Sequence, residues 1–259
     1  MTLEQDGLSR GVQLDAQDRL CLDGQRLQRV SGSSYGQTGA VYATEIDSHV
    51  RVRQVAGDLA NAQTVFEVRT KSGEVHIYGA FGQAGALVRP QALGGSNSLL
   101  PPLSWMLAER RDSVGNTVRY FYNLDAADAA GTRVPEVLLR EISYTGRRLG
   151  GTVTEGNRSI KFTYEARPDA SSSLIGGGVL WQTQRLSRID IHAPAQATLA
   201  APSERIRAYQ LAYVLRASGG PALQPDAVRA QANGVSLSSG RSLLRSIQEL
   251  AFKDGVQAS

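Results

Sequence analysis

The segment from Thr64 to Tyr78 restricts the fold more than any other part of the chain. Apolar and polar residues alternate along it, with Val65, Glu67 and Arg69 on one face and Phe66, Val68 and Thr70 on the other. Lys71-Ser72-Gly73-Glu74 interrupts the pattern, and Val75-His76-Ile77-Tyr78 resumes it. A period of two puts the apolar side chains on one face of a strand, and a glycine-bearing interruption is a hairpin turn. A second unit repeats this grammar. Trp105 to Arg110 leads into Asp112-Ser113-Val114-Gly115-Asn116, and Thr117 to Tyr122 leads out.

Further short strands are expected at Leu138–Tyr144, Ser159–Glu165, Arg185–His192, Ile206–Val214 and Leu243–Phe252. Gly-, Ser- and Ala-rich segments separate them, and Gly94–Ser98, Ser171–Gly178 and Ala217–Ser239 read as loops. The period of the Trp105–Tyr122 unit is two, not 3.6, and Ala217–Ser239 is long enough to be mobile or to hold a short helix. The sequence therefore predicts an all-β chain, an antiparallel meander of short hairpins forming part of a large sheet, with long Gly/Ser/Ala loops. No segment reads as a linker, so residues 1–259 are expected to form a single β-rich domain. The 27 glycines and nine tyrosines suit turns and sheet faces, each Tyr packing its ring and leaving its hydroxyl in water.

Composition narrows the function classes. The 28 basic and 24 acidic residues are interspersed along the chain, which predicts no nucleic-acid partner. Cys21 is the single cysteine, so no disulfide framework or multi-cysteine metal site can form within the chain, and a small buried thiol is expected. No run of about 18 apolar residues occurs, and direct membrane insertion is not expected. The first residues, Met1 to Asp6, lack the basic and apolar regions of an export signal, which would lie elsewhere if the chain is part of a longer protein.

Candidate chemistry is sparse. Gly32-Ser33-Ser34-Tyr35-Gly36 matches the Gly-x-Ser-x-Gly pattern of a nucleophile elbow, with Ser34 as nucleophile and His76 or His192 as base. That motif requires a strand before it and a helix directly after it. Gln37-Thr38-Gly39-Ala40-Val41-Tyr42 reads instead as loop then strand. His49, His76 and His192 lack metal-site spacing. The acid pairs Glu45/Asp47 and Asp125/Asp128 read as surface groups, Asp112 to Asn116 as a turn rather than a calcium loop, and Gly176-Gly177-Gly178 as a loop rather than a phosphate cradle. No cofactor and no metal are expected, and the chain is not read as an enzyme.

Several segments together resemble a known family. They are Asp18 to Leu27, the hairpin ending Ile77-Tyr78-Gly79, Trp105 through Asp112 and Gly115-Asn116 to Tyr122, Ile160 to Asp169, and Ser242 to Ile247. In this order they are similar to the Salmonella virulence plasmid B protein (SpvB) family, a region shared with the B component of insecticidal toxin complexes and related to Rhs/YD-repeat proteins. The resemblance covers about residues 11–255. It implies a non-catalytic scaffold module of a secreted toxin or toxin complex, contributing to a β shell for effector packaging and delivery. Its partners would be neighbouring modules of the same toxin or other toxin-complex subunits. The family region begins earlier and continues further, so a part of a larger protein is expected. The Glu-x-Glu pair of the family's separate catalytic domain and the Asp-Pro self-cleavage signature of Rhs shells do not occur here.

Two other readings stay open: a serine hydrolase using Ser34, and a cell-surface carbohydrate-binding module presenting Tyr and Trp. The residues expected to matter are structural: Trp105, Tyr78, Tyr120, Tyr122 and Tyr164 on sheet faces, Gly73, Gly79 and Gly115 in turns, and Asp112 and Asn116 capping one of them. If the Trp105 ring is fully buried, Trp105→Ala should destabilise the chain by about 3–5 kcal/mol in urea unfolding; a loss below about 1 kcal/mol would place the ring on the surface.

Overall fold

The computed structural model of the chain describes residues 11–60, 62–82, 86–93, 98–124, 136–194, 203–214, 242–253 and 256–257. All regular structure among them is β. Six strands open the chain: β1 (Cys21–Leu22), β2 (Gln25–Ser31), β3 (Val41–Thr44), β4 (Arg51–Ala56), β5 (Val65–Arg69) and β6 (Val75–Gly79). The short β7 (Leu87–Val88), β8 (Gln91–Ala92) and β9 (Ser104–Trp105) follow, then β10 (Leu107–Arg111) and β11 (Asn116–Leu124). Longer strands complete it: β12 (Val137–Leu149), β13 (Thr152–Thr154), β14 (Arg158–Ile175), β15 (Gly178–Pro194), β16 (Ser203–Val214), β17 (Leu243–Lys253) and β18 (Val256–Gln257).

Sixteen strands form one antiparallel sheet in the order β1-β2-β3-β4-β5-β6-β10-β11-β12-β14-β15-β16-β17-β18, with β13 on β12 and β8 on β15. The sheet does not close into a barrel, and β7 and β9 form a separate ribbon. Chain contacts divide into two compact units. Met1–Leu139, Tyr144–Gly156 and Ser173–Leu180 form the first; Arg140–Ser143, Asn157–Ser172 and Trp181–Ser259 form the second.

The first unit holds the core. Alternation on β4 buries Val52 and Gln54 and exposes Arg51, Arg53 and Val55. β5 is buried on both faces: Phe66 and Val68 pack with Leu27, Ala40, Tyr42 and Val52, while Val65 packs with Val75 and Ile77 on the opposite side. Each such apolar side chain contributes roughly 1.5–3 kcal/mol on burial. The β5–β6 hairpin pairs Val65 with Gly79 and Arg69 with Val75, and Gly73 takes the left-handed turn position at φ +82. Gly79 needs glycine more strictly. Its φ is +92, and a Cβ there would run into the Thr64 carbonyl oxygen.

The hairpin from β10 to β11 turns through Asp112 to Asn116. Asp112 Oδ1 accepts the Val114 and Asn116 amides at 3.0 and 2.8 Å, and Asn116 Nδ2 donates to Oδ2 at 2.7 Å. The tip rests on β12: Arg148 N–H donates to the Gly115 carbonyl at 2.8 Å, and a Cβ on Gly115 would lie 2.5 Å from the Arg148 carbonyl oxygen. Beneath this tip Glu109 is 1% exposed and receives a bidentate pair from Arg148, Nε at 3.0 and Nη2 at 2.8 Å. Arg119, opposite Glu109 on β11, brings Nε to 3.9 Å from the same carboxylate and pairs outward with Glu155. One buried carboxylate thus ties three strands.

The second unit relies on ladders and arginine more than on a greasy core. β16 and β17 pair from Arg207↔Ala251 to Val214↔Leu243. Asp190, 5% exposed, accepts a hydrogen bond from Arg188 Nε at 2.8 Å and forms an ion pair with Arg205, and both guanidiniums lie over the Phe252 ring. Arg185 stacks 4.3 Å from the Tyr213 ring centre and pairs with Glu165. Asp169 holds Arg167 through two 3.0 Å bonds and takes the backbone amide and hydroxyl of Ser242, anchoring the residue just before β17.

Three expectations are corrected. Trp105 is not part of β10: it belongs to β9, which pairs with β7, and it is half-buried rather than enclosed. Met106 is where the chain passes from one pairing to the other: its amide donates to the Ala86 carbonyl at 2.8 Å and its carbonyl accepts the Gly79 amide at 2.9 Å. Ser171–Gly178 is no loop, since β14 runs through Ile175 and the turn is only Gly176–Gly177. Serines and alanines hide the alternation there, and the ladder itself holds the strand. Not every tyrosine hydroxyl is left to water: Tyr122 donates to the Leu107 carbonyl at 2.8 Å, Tyr35 to that of Leu27 at 3.2 Å and Tyr213 to that of Leu186 at 2.5 Å.

Removing Glu109 would strand Arg148 in a nearly dry site. Glu109→Ala is expected to lower unfolding free energy by about 3–5 kcal/mol, with part of the loss recovered in Glu109→Ala/Arg148→Met; chemical denaturation of the three proteins measures it.

Candidate functional site

A well-formed concavity lies in the first unit. Asp18 starts it by folding the segment before β1 back on itself: its Oδ2 accepts the amides of Gln13 at 3.0 Å and Leu14 at 2.6 Å. Asp23 and Gly24, both at positive φ, turn β1 into β2. The folded segment therefore stands as a wall over the sheet, with Val12, Leu14, Leu20 and Leu22 facing a floor of Leu27, Val52, Phe66 and Val68. Tyr78 and Pro101 to Trp105 close the other side, and Trp105 meets Phe66 edge to face at 5.2 Å. The cleft measures about 380 Å³. That is within the range of clefts that take a small molecule or a few side chains.

Tyr35 braces the wall from behind. Its hydroxyl accepts the Leu20 amide at 2.7 Å, its ring stacks under Arg19 at 4.9 Å, and burial pushes its pKa up to about 12. Burial also raises the Tyr78 hydroxyl, and the Asp23 carboxylate adds to the shift. Arg19 donates to the carbonyls of Ala16 and Asp18. The lining is thus mostly aliphatic and aromatic with acids at its margin, a surface suited to enclosing an apolar group. Cys21 lies in the wall, and burial pushes its thiol up.

Ser34 lies in a turn whose next regular element is β3, a strand. The helix that an elbow requires is therefore missing. The turn has a structural partner instead. Gln54, fully buried, donates to the carbonyls of Gly36 at 2.9 Å and Gly57 at 2.8 Å, and its Oε1 accepts the Tyr42 hydroxyl at 3.0 Å. Tyr42 in turn accepts the Gly36 amide at 2.8 Å. His76 sits on β6 against Glu74 at 3.1 Å, while His192 belongs to the second unit, where burial lowers its pKa.

Asp47 binds the His49 amide and Arg51, as a surface turn does, and Asp125/Asp128 lie outside the described residues. So do 94–97 and Ala217–Ser239. Among the described residues no cluster of three or more His, Cys, Asp or Glu could hold a metal, and no helix is long and apolar enough to cross a membrane.

Of the residues singled out from sequence, Tyr78 and Trp105 meet in the cleft, and Gly79 lies beside Trp105. Asp112, Gly115 and Asn116 make the hairpin tip, Tyr120 and Tyr122 lie half-buried on β11, and Tyr164 lies half-buried on β14. Sequence reasoning missed Gln54 and Glu109, because polar residues at inward positions look like ordinary alternation breaks until their partners are known.

No protein-family profile and no curated protein matches the sequence. Solved structures do match. The N-terminal domain of effector protein SpvB from Salmonella typhimurium strain LT2 superposes with a TM-score of 0.62 at 14% identity, covering 93% of this chain and 83% of that one. TcdB2-TccC3-Cdc42 matches with a TM-score of 0.60 at 14% identity over 94% of this chain, and the Photorhabdus luminescens Tc holotoxin pore with 0.58 at 15% identity over 94%. The chain spans 14% of the former and 13% of the latter. At these identities the likeness is one of fold.

The thiol in the wall gives a direct check on the cleft. Because burial raises its pKa, less Cys21 is thiolate near pH 8 than in a free cysteine; alkylation by iodoacetamide should be slower than for a model thiol and should climb at higher pH than the usual cysteine range of about 8.5.

Proposed function

We propose that this chain is a non-catalytic structural module of a secreted bacterial toxin or toxin complex, in which its sheet forms part of a β shell that packages and delivers an effector. One observation carries the reading. An open sheet built from successive hairpins recurs, over more than nine-tenths of this chain, both as the N-terminal domain of an effector protein and within the much larger chains of the Tc toxin structures. A fold that serves as one part of longer chains is suited to wall building: each added hairpin extends the surface, and no step requires a closed active-site frame. The working partners would be neighbouring modules of the same toxin or other toxin subunits, and the place of action would be outside the producing cell.

Neither rival gains from the geometry. A sugar platform needs exposed rings, whereas Trp105 and the described tyrosines are buried or half-buried. A hydrolase needs Ser34 beside a base, and its turn is instead tied through Gly36 to Tyr42 and Gln54.

The test is in-frame removal of the codons for residues 11–257 in the producing bacterium. Culture medium should lose its toxicity to target cells while effector activity in broken cells is retained. Unchanged delivery would overturn the proposal. So would labelling of the purified chain by a serine-reactive phosphonate that Ser34→Ala abolishes.

A further inference from the structure

The cleft over the first strands carries a charge that the fold does not use. Asp18 commits Oδ2 to the amides of Gln13 and Leu14, and Arg19 is held by the carbonyls of Ala16 and Asp18 and by the Tyr35 ring. Asp23 is different. It lies exposed in the turn from β1 to β2, lines the cleft, and makes no hydrogen bond or ion pair with any described residue. Its carboxylate is near enough to Tyr78 to help raise the pKa of that hydroxyl. The Tyr78 hydroxyl likewise has no hydrogen bond to a described residue.

Three rings accompany these two groups. Phe66 and Tyr78 are directly opposed on β5 and β6, so they share one face of the sheet, and Trp105 meets Phe66 with ring planes 84° apart. The face of an aromatic ring is negative, so rings beside an unpaired carboxylate favour a cation that also carries apolar surface. The charges at the margin agree. Among the described lining residues Asp15, Asp18 and Asp23 stand against Arg19 alone, although basic residues outnumber acidic ones 28 to 24 in the whole chain. An anionic ligand would therefore be repelled.

Both walls have packing behind them. A Cβ on Gly176 would lie 2.8 Å from Leu14 Cγ, and one on Gly178 would lie 2.6 Å from Leu100 Cδ1. The turn from β14 to β15 thus abuts the wall at Leu14 and the segment that leads into Pro101. A floor and two backed walls around about 380 Å³ suit a small molecule held in a preformed site.

We propose that this cleft binds a free small organic cation, a primary or secondary ammonium on an aromatic or branched aliphatic body. The body lies against Phe66, Tyr78 and Trp105, and the ammonium donates to the Asp23 carboxylate and the Tyr78 hydroxyl. The site is independent of the shell role, since a wall module can hold a ligand without catalysis.

Trp181→Phe leaves Trp105 as the only tryptophan, and its fluorescence then reports on the cleft. Phenylpropylamine, phenylpropanol and phenylpropionate share one body and differ in charge. The amine should change the emission saturably, with a Kd on the order of 0.1–1 mM for a ligand of about ten non-hydrogen atoms. The alcohol should bind about fivefold more weakly and the acid more weakly still. Asp23→Asn keeps a residue type that accepts the φ of +48 at this turn; it should weaken the amine about fivefold and leave the alcohol unchanged. An end-blocked peptide with Phe beside Lys should bind more weakly than the free amine. Calorimetry on the unaltered chain should give the same order. No saturable binding of the amine, equal binding of all three probes, an Asp23→Asn chain that binds the amine as before, or tighter binding by the peptide would each overturn the proposal.

Discussion

The constraint behind this structure is that a backbone amide or carbonyl removed from water needs a partner, and a strand satisfies only half its groups on each side. A sheet that does not close must therefore stop somewhere, and every strand before the stop requires the next. Here the chain meets that need almost entirely from local sequence. β1 to β6 pair in order, β10 joins β6, and the series β10 to β18 continues in order with β13 as a side branch. The exception is β8, which reaches across to Gly178 and Val179 where β15 has left its turn but has not yet met β16.

Side chains then decide which ladders are rigid. In the first unit the apolar clusters around Phe66 and Val75 are joined by fully or nearly buried polar groups with specific tasks: Gln54 and Tyr42 hold a turn, and Glu109 holds Arg148. In the second unit, where most side chains are only half-buried, guanidinium groups take over much of this work, pairing with Asp190, Asp169 and Glu165 and lying over Phe252 and Tyr213. The choice of arginine matters. All but three of the chain's 28 basic residues, Lys71, Lys161 and Lys253 excepted, are arginine, whose planar fork can hold a carboxylate and cover a ring at once.

What could be read in advance follows from this division. The hairpin at Thr64–Tyr78 was legible because its two strands bury alternate residues and its turn requires glycine. The tip at Asp112–Asn116 was legible because an aspartate before glycine and asparagine makes its own hydrogen bonds. β14 past Asp169 was not, since Ala170-Ser171-Ser172-Ser173 has no alternation and is held by its neighbours. The cleft was half legible: Trp105 and Tyr78 could be picked out as large rings, but nothing local indicates that Asp18 folds the segment from Val12 to Leu22 over them. The polar ties at Gln54 and Glu109 are tertiary facts, each depending on a residue at least 18 positions away.

The nearly sequential order of the sheet also governs its response to force. Tension applied at the C-terminal end would draw off β18, then β17, then β16, each leaving a neighbour that is still held on its far side. No strand in that series has to be dragged out from between two others, so the ladder opens like a zipper, one bond after another, instead of resisting as a block in shear. The first strand in that series held by a strand outside it is β15, which β8 grips at Gly178–Val179 in addition to its own hairpin partner.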